Sequence, residues 1–173
     1  NGEASQPPLK FGVAAVDMFT GMYSAQAILA ALFARQHSGQ GRHVQMALYD
    51  CGVMITSYYG MEALLKDGDP PKFGNAHPSI VPYQLLHCAD APLAVTVGND
   101  GQFRKFCEVA GLPALPDDPR FSTNKARVAH RAELIPLLRQ TTVFKTTAEW
   151  VTLLEAAGVP CGPINDLAQV FAD

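Results

Sequence analysis

VDMFTGMYSAQAILAALFARQHSGQGRHVQMALYD, residues 16–50, reads as a helix, a stop and a short strand. The helix is expected from Asp17 to about Gln36. A carboxylate at its start suits an N-cap, because a short acidic side chain accepts a backbone N–H there. The interior is rich in alanine (Ala25, Ala27, Ala30, Ala31, Ala34), which permits close helix packing. Ser38-Gly39-Gln40-Gly41 ends it, with glycine in its usual place after a helix. From His43 to Leu48 apolar and other residues alternate, a strand pattern.

Residues 1–10 read as a loop, and Phe11 to Val16 as a short apolar approach to Asp17. A second helix is expected from about Tyr49 to Lys66, broken by Asp67-Gly68-Asp69-Pro70-Pro71. KFGNAHPSI (72–80) is a loop. Tyr83–Cys88 and Leu93–Val97, separated by a turn, predict an antiparallel hairpin. A short amphipathic helix should cover Gln102–Ala110. Residues 111–123 are loop-like. Thr123 or Asn124 should cap a helix reaching about Gln140, with Pro136 kinking it or marking its first turn. Thr146-x-x-Glu149 is a capping-box pattern for a helix through about Ala157. Gly158 closes that helix, 159–164 is extended, and Asn165 begins a last short helix.

Composition sets the class. The 173 residues are 48% hydrophobic and 17% charged, with a formal net charge of −3, as expected of a globular protein with a core. The charges are scattered, so neither a nucleic-acid face nor a polybasic membrane patch is indicated. Cys51, Cys88, Cys107 and Cys161 fit no zinc spacing. Their apolar neighbours point to buried free thiols in a reducing compartment. The longest apolar run, Ala25–Ala34, is too short to span a bilayer and reads as a buried helix. A helix so apolar needs cover on most of its surface. That need, with a start at Asn and a polar Pro-containing lead, suggests an incomplete chain whose cover lies in a further segment or a partner subunit.

Two places carry possible chemistry. The plainer reading of Asp17 is a structural cap. The functional reading is a nucleophile, since carboxylates form covalent acyl intermediates and the positive end of a helix stabilises negative charge. Thr20-Gly21 leaves room for a ligand near the backbone. The second place is the loop Gly74-Asn75-Ala76-His77. A lone loop histidine is commonly only exposed or hydrogen-bonded, but Gly74 permits unusual backbone angles and such a loop could close over a site. Ser38–Arg42 lacks a phosphate-loop pattern. Cys161 reads as a core thiol, and no metal site is indicated.

The stretch 16–50 resembles the signature of the family III coenzyme A transferases, also called the CaiB/BaiF family. The matching residues are Asp17, Thr20, Gly21, Arg35, Ser38, Gly39, Gly41, Val44, Ala47, Leu48 and Asp50. The resemblance continues through GNAHPSIVPYQLL (74–86), VGNDGQF (97–103), FSTNKARVAHRAEL (121–134) and GVPCGPINDL (158–167), in order over almost the whole chain. Its wording is most similar to the members that exchange coenzyme A between dicarboxylates, the succinyl-CoA:glutarate type. The loop here is Gly-Asn-Ala-His rather than a glycine run, and Ala91 stands where members carry Asp-Gly.

The resemblance implies an α/β fold of that family, of which this chain would be a mostly helical part with a small antiparallel sheet. Residues 1–71 would be the C-terminal part of the large coenzyme A-binding domain plus a linker helix. Residues 72–162 would be the small domain, and 163–173 the start of a return to the large one. Coenzyme A would be a substrate, bound largely by an N-terminal half, with no permanently bound cofactor. The partners implied are an acyl-CoA, a carboxylic acid (a dicarboxylate fits the wording) and a second copy in an interlocked homodimer, with no nucleic acid and no membrane. The location would be cytoplasmic, or the mitochondrial matrix in a eukaryote. Asp17 matches the family's nucleophile, and Gly74–His77 matches its active-site loop. Two alternatives stay open: an α-methylacyl-CoA racemase using the same aspartate as acid/base, and a non-catalytic fragment or scaffold. A dehydratase, from the family's old naming, ranks below the racemase. The isolated chain is expected to be inactive.

Overall fold

The computed structural model describes residues 2–3 and 5–172. They form two compact units, Asn1–Lys72 and Phe73–Asp173.

In the first unit, α1 (Ala15–Ser38) starts two residues before Asp17. The Ala15 amide donates to Val13 O (2.9 Å) and the Met18 amide to Ala14 O (3.1 Å). Ala14 therefore occupies the cap position, and no side chain caps the helix. Asp17 lies within the first turn, which corrects its reading as the cap. The far end is as the sequence indicates: Gly39 takes φ 70° and donates its N–H to Arg35 O, a left-handed stop that glycine adopts without steric cost.

The strand expected at His43–Leu48 does not form. Ala47 is extended (φ −117°, ψ 136°), but among the described residues the only sheet lies in the second unit. Alternation becomes a strand only where a neighbour completes the hydrogen-bond ladder. The single helix expected from Tyr49 to Lys66 is instead two, α2 (Leu48–Ile55) and α3 (Ser57–Lys66). Ser57 turns to φ 51°, and the Thr56 hydroxyl folds back on Val53 O at 2.6 Å. Gly60 makes room for that hydroxyl, because a Cβ there would collide with Thr56 Oγ1.

None of the residues of α1 is buried, and in the first unit only Cys51, where α2 packs on α1, is buried among the described residues. At 24 residues α1 is long and apolar enough to cross a membrane, a property shared by core helices of soluble proteins. The apolar run Ala25–Ala34 is only the middle of this helix.

The second unit holds the core. Strands β1 (Tyr83–His87), β2 (Pro92–Thr96) and β3 (Cys161–Pro163) form an antiparallel sheet in that order. Leu86 faces Leu93, and Gln84 faces Val95. These four residues are buried while their neighbours in sequence are not fully covered, the period-two alternation of a one-sided sheet. Around them lie α4 (Asp100–Val109), a 3-10 turn (Leu115–Asp117), α5 (Asn124–Ala129), α6 (Arg131–Thr142) and α7 (Thr147–Ala156); α8 (Leu167–Ala172), which has no buried residue, follows. Phe103, Phe106, Phe121, Leu138, Trp150 and Leu154 fill the interior with no exposed surface.

Local chemistry accounts for the ends of these helices. Asn99 Oδ1 accepts from the Gln102 amide (2.9 Å) while Gln102 Oε1 accepts from the Gly98 amide (2.8 Å), so the GNDGQF wording is a helix start. Thr146 and Glu149 form the expected capping box. Asp166, not Asn165, caps α8 through Gln169. The helix expected from Thr123 to Gln140 breaks at His130, not at Pro136, which sits inside α6. The His130 carbonyl accepts from both Glu133 and Leu134 at 3.0 Å, so a new helix begins there.

Candidate functional site

Asp17 is exposed in the first turn of α1. No hydrogen bond or ion pair engages its carboxylate among the described residues. The amides of a helix's first turn lack intrahelical partners and carry partial positive charge. The unengaged carboxylate of Asp17 lies at the surface of that field. One turn on, the Thr20 hydroxyl donates to Val16 O at 2.7 Å, so it serves the helix. Gly21 faces open space, where a Cβ would meet nothing within 4 Å. Gly52 of α2 lies against the other side of the same turn, its Cβ direction 3.6 Å from Val16 Cγ1. A groove of about 460 Å³ runs between α1 and α2, lined by Tyr23, Ala27, Ala30, Met46, Cys51 and Met54 among others.

The loop Gly74–His77 belongs to the second unit. Gly74 takes φ 58°, and the Ala76 amide closes a turn onto Phe73 O at 2.9 Å. Gly74 and Asn75 are exposed, and Ala76 and His77 half-buried. His77 is fixed rather than loose. Its amide donates to Tyr83 O at 2.9 Å, and its ring stacks on Tyr83, 5.2 Å between centroids. Its Nδ1 accepts from the Ser79 amide at 3.2 Å. Partial burial, and then the nearby Arg131 charge, lower its pKa from the ordinary histidine value. It is a neutral imidazole at pH 7, with its proton on Nε2.

Sequence reasoning passed over three residues that the loop depends on. Arg131 Nη2 donates to His77 O (2.6 Å) and Pro78 O (2.9 Å). Asn124 donates to Ser79 O (2.8 Å) and accepts from the Val81 amide (3.0 Å). Arg127, fully buried, donates from Nε to Val81 O at 2.7 Å. Their spacing of three and four, which puts side chains on one helical face, was the available signal.

The cysteines are free. Burial raises the thiols of Cys88 and Cys161, and lifts Cys107 to about 12. All three are therefore protonated and poor nucleophiles at neutral pH. Cys161 is half-buried, not fully buried as the sequence indicated. Among the described residues no cluster of three or more His, Cys, Asp or Glu could hold a metal ion.

Comparison with known proteins adds an independent line. A family model described as CoA-transferase family III matches residues 1–173. A succinate–glutarate CoA-transferase of Agrobacterium fabrum is 44% identical over 99% of this chain and 43% of its own length. A human succinyl-CoA:glutarate CoA-transferase is 36% identical over 99% of this chain and 39% of its own length. The chain thus spans less than half the length of these curated relatives. Among solved structures, a CaiB/BaiF family protein from Brucella suis superposes with a TM-score of 0.78 at 44% identity, covering 100% of this chain and 46% of that one. A hypothetical protein from Mycobacterium tuberculosis gives a TM-score of 0.86 at 28% identity, over 100% and 46%.

Proposed function

Because the chain belongs to CoA-transferase family III, we propose that the full-length protein moves coenzyme A from an acyl-CoA to a carboxylic acid, with Asp17 as the nucleophile. The observation that carries this reading is the position of Asp17: an exposed, unengaged carboxylate at the positive end of α1, beside the open face of Gly21.

The chemistry balances in four steps. A carboxylate oxygen of Asp17 attacks the thioester carbonyl of the donor. The C–S bond breaks, leaving an aspartyl–acyl anhydride and the coenzyme A thiolate. The thiolate attacks the Asp17 acyl carbon, releasing the donor acid and forming an aspartyl-CoA thioester. The acceptor carboxylate then attacks that thioester, and the thiolate released takes the acyl group from the second anhydride. Asp17 is regenerated with no net proton or electron required. Each step creates an oxyanion, and the helix N-terminus lies where it stabilises one.

The dicarboxylate names of the first relatives support a dicarboxylic acid as acceptor. The coenzyme itself is held mainly outside these residues. The large apolar side chains that α1, α2 and α3 expose are covered by the rest of the protein and by a second copy in a homodimer.

The test is Asp17→Ala in the full-length enzyme. Transfer activity should fall at least about a thousandfold with the fold intact. Retained transfer would overturn the reading. Deuterium entering the α-carbon of an acyl-CoA without any acceptor acid would replace it with the racemase chemistry.

A further inference from the structure

Residues 48–66 contain no proline, and their pattern favours one continuous helix. The structure splits them at a single residue. Thr56 keeps helical angles (φ −63°, ψ −21°), while Ser57 turns to φ 51°, the one residue of this stretch at positive φ. The carbonyls at the break are satisfied. Val53 O accepts from the Thr56 amide (3.1 Å) and hydroxyl (2.6 Å), and Thr56 O accepts from the Tyr59 amide (3.1 Å). In a joined helix the same two carbonyls would take the Ser57 and Gly60 amides, four residues on. Both forms serve these acceptors, so hydrogen bonding does not choose strongly between them.

Two residues pull in opposite directions. Ser57 opposes the break, because a residue with a Cβ is disfavoured at positive φ. Where the chain turns to positive φ just after α1 and α7, the residue is a glycine, Gly39 and Gly158. Gly60 opposes the joined helix, in which glycine is less favourable than alanine. The break requires it, since a Cβ there would collide with Thr56 Oγ1. In a regular helix residues 56 and 60 are ordinary neighbours one turn apart, with room for both side chains. A permanent break would be better served by glycine at 57, and a permanent helix by alanine at 60.

The two helices are also unequally held. In α2, Cys51 is buried and the Cβ direction of Gly52 points at Val16 of α1. No residue of α3 is buried. It carries Tyr58, Met61 and Leu65, all exposed, at the spacing of one helical face.

We propose that Thr56–Gly60 is a two-state hinge. The helix α3 exchanges between the broken form and a form continuous with α2, and the hinge thereby re-aims the face of Tyr58, Met61 and Leu65. The hinge lies within the first unit and does not depend on the transfer chemistry.

The test is fluorine NMR of the full-length protein carrying fluorotyrosine, with the Tyr59 signal identified by its loss in Tyr59→Phe. The Tyr58 and Tyr59 rings lie 4.9 Å apart, a pairing that adjacent residues of a regular helix do not make, so the signal distinguishes the two forms. Ser57→Gly should shift the equilibrium toward the break, and Gly60→Ala toward the joined helix, each on the order of fivefold. The wild-type signal should lie between those of the two variants and show exchange broadening that each variant reduces. Ser57→Ala supplies the joined-helix arm if Gly60→Ala does not fold. A wild-type signal that coincides with that of either variant means one fixed form and overturns the proposal. So does displacement of both variants in the same direction, or no displacement in any variant.

Discussion

Arg127 Nη2 lies 2.9 Å from Asp100 Oδ1, joining a guanidinium with no exposed surface to a carboxylate whose side chain is 53% exposed. The guanidinium also stacks 4.3 Å from the Phe103 ring centroid and serves the carbonyls of Val81 and Phe121. Burial lowers its pKa, and Asp100 opposes that shift. The two partners are thus unequal, and their removal should cost unequally.

Arg127→Met strands two interior carbonyls, so the second unit should lose about 3 kcal/mol of stability. Asp100→Asn leaves every other bond of Arg127 in place and, being half exposed, should cost about 1 kcal/mol or less. Urea unfolding of both variants checks the order. Equal losses would mean that the ion pair, not the carbonyl bonds, matters.

Asp90 Oδ1 accepts from the amide of Thr147 (2.8 Å) and from its hydroxyl (3.0 Å), tying the hairpin turn to the start of α7. The Thr147 amide is the main cause of its lowered pKa. A depressed carboxylate contributes stability above its unfolded value, near 3.9, and loses it as pH falls through the lower folded value. Thermal unfolding followed from pH 6 to pH 2 should show this loss beginning below about pH 4. Asp90→Asn should flatten that part of the curve.

The His77 ring should titrate by NMR with a midpoint below the usual histidine value, near 6.5. Its native pKa is lowered, so between that value and 6.5 the unfolded chain binds more protons and stability rises with pH. Arg131→Met removes the smaller, Coulombic cause and should raise the midpoint part of the way. Burial, the larger cause, should keep it below 6.5.

The 173 residues alone should neither transfer nor bind coenzyme A. Among the described residues Cys51 is the only buried one in the unit that carries Asp17, and large apolar side chains along α1 to α3 are exposed. Calorimetric titration of the isolated chain with coenzyme A should give no binding heat. Tight binding would place the coenzyme's cradle within these residues.

What the sequence showed followed the range of the forces. Thr146 and Glu149 lie three residues apart and cap α7 with no outside help, so their pattern was readable. The same holds for the hairpin of β1 and β2 and for the stop at Gly39. The edge strand β3 pairs with Leu93–Val95 from residues 161–163, a contact no local pattern encodes. The segment His43–Leu48 shows the reverse case, alternation with no neighbouring strand among the described residues. Arg127 was hidden because a cation is ordinarily a surface residue. Its burial needs Asp100, Val81 and Phe121 brought together. For Asp17 the cap reading failed on geometry by three residues, since α1 begins at Ala15 and Ala14 takes the cap position. That leaves its carboxylate unengaged among the described residues.

The full-length enzyme, mixed with succinyl-CoA in the absence of an acceptor acid, digested and analysed by mass spectrometry, should carry coenzyme A as a thioester on the peptide containing Asp17. Glutarate should discharge it. A modification on a different residue, or turnover with no covalent species on Asp17, would contradict the account.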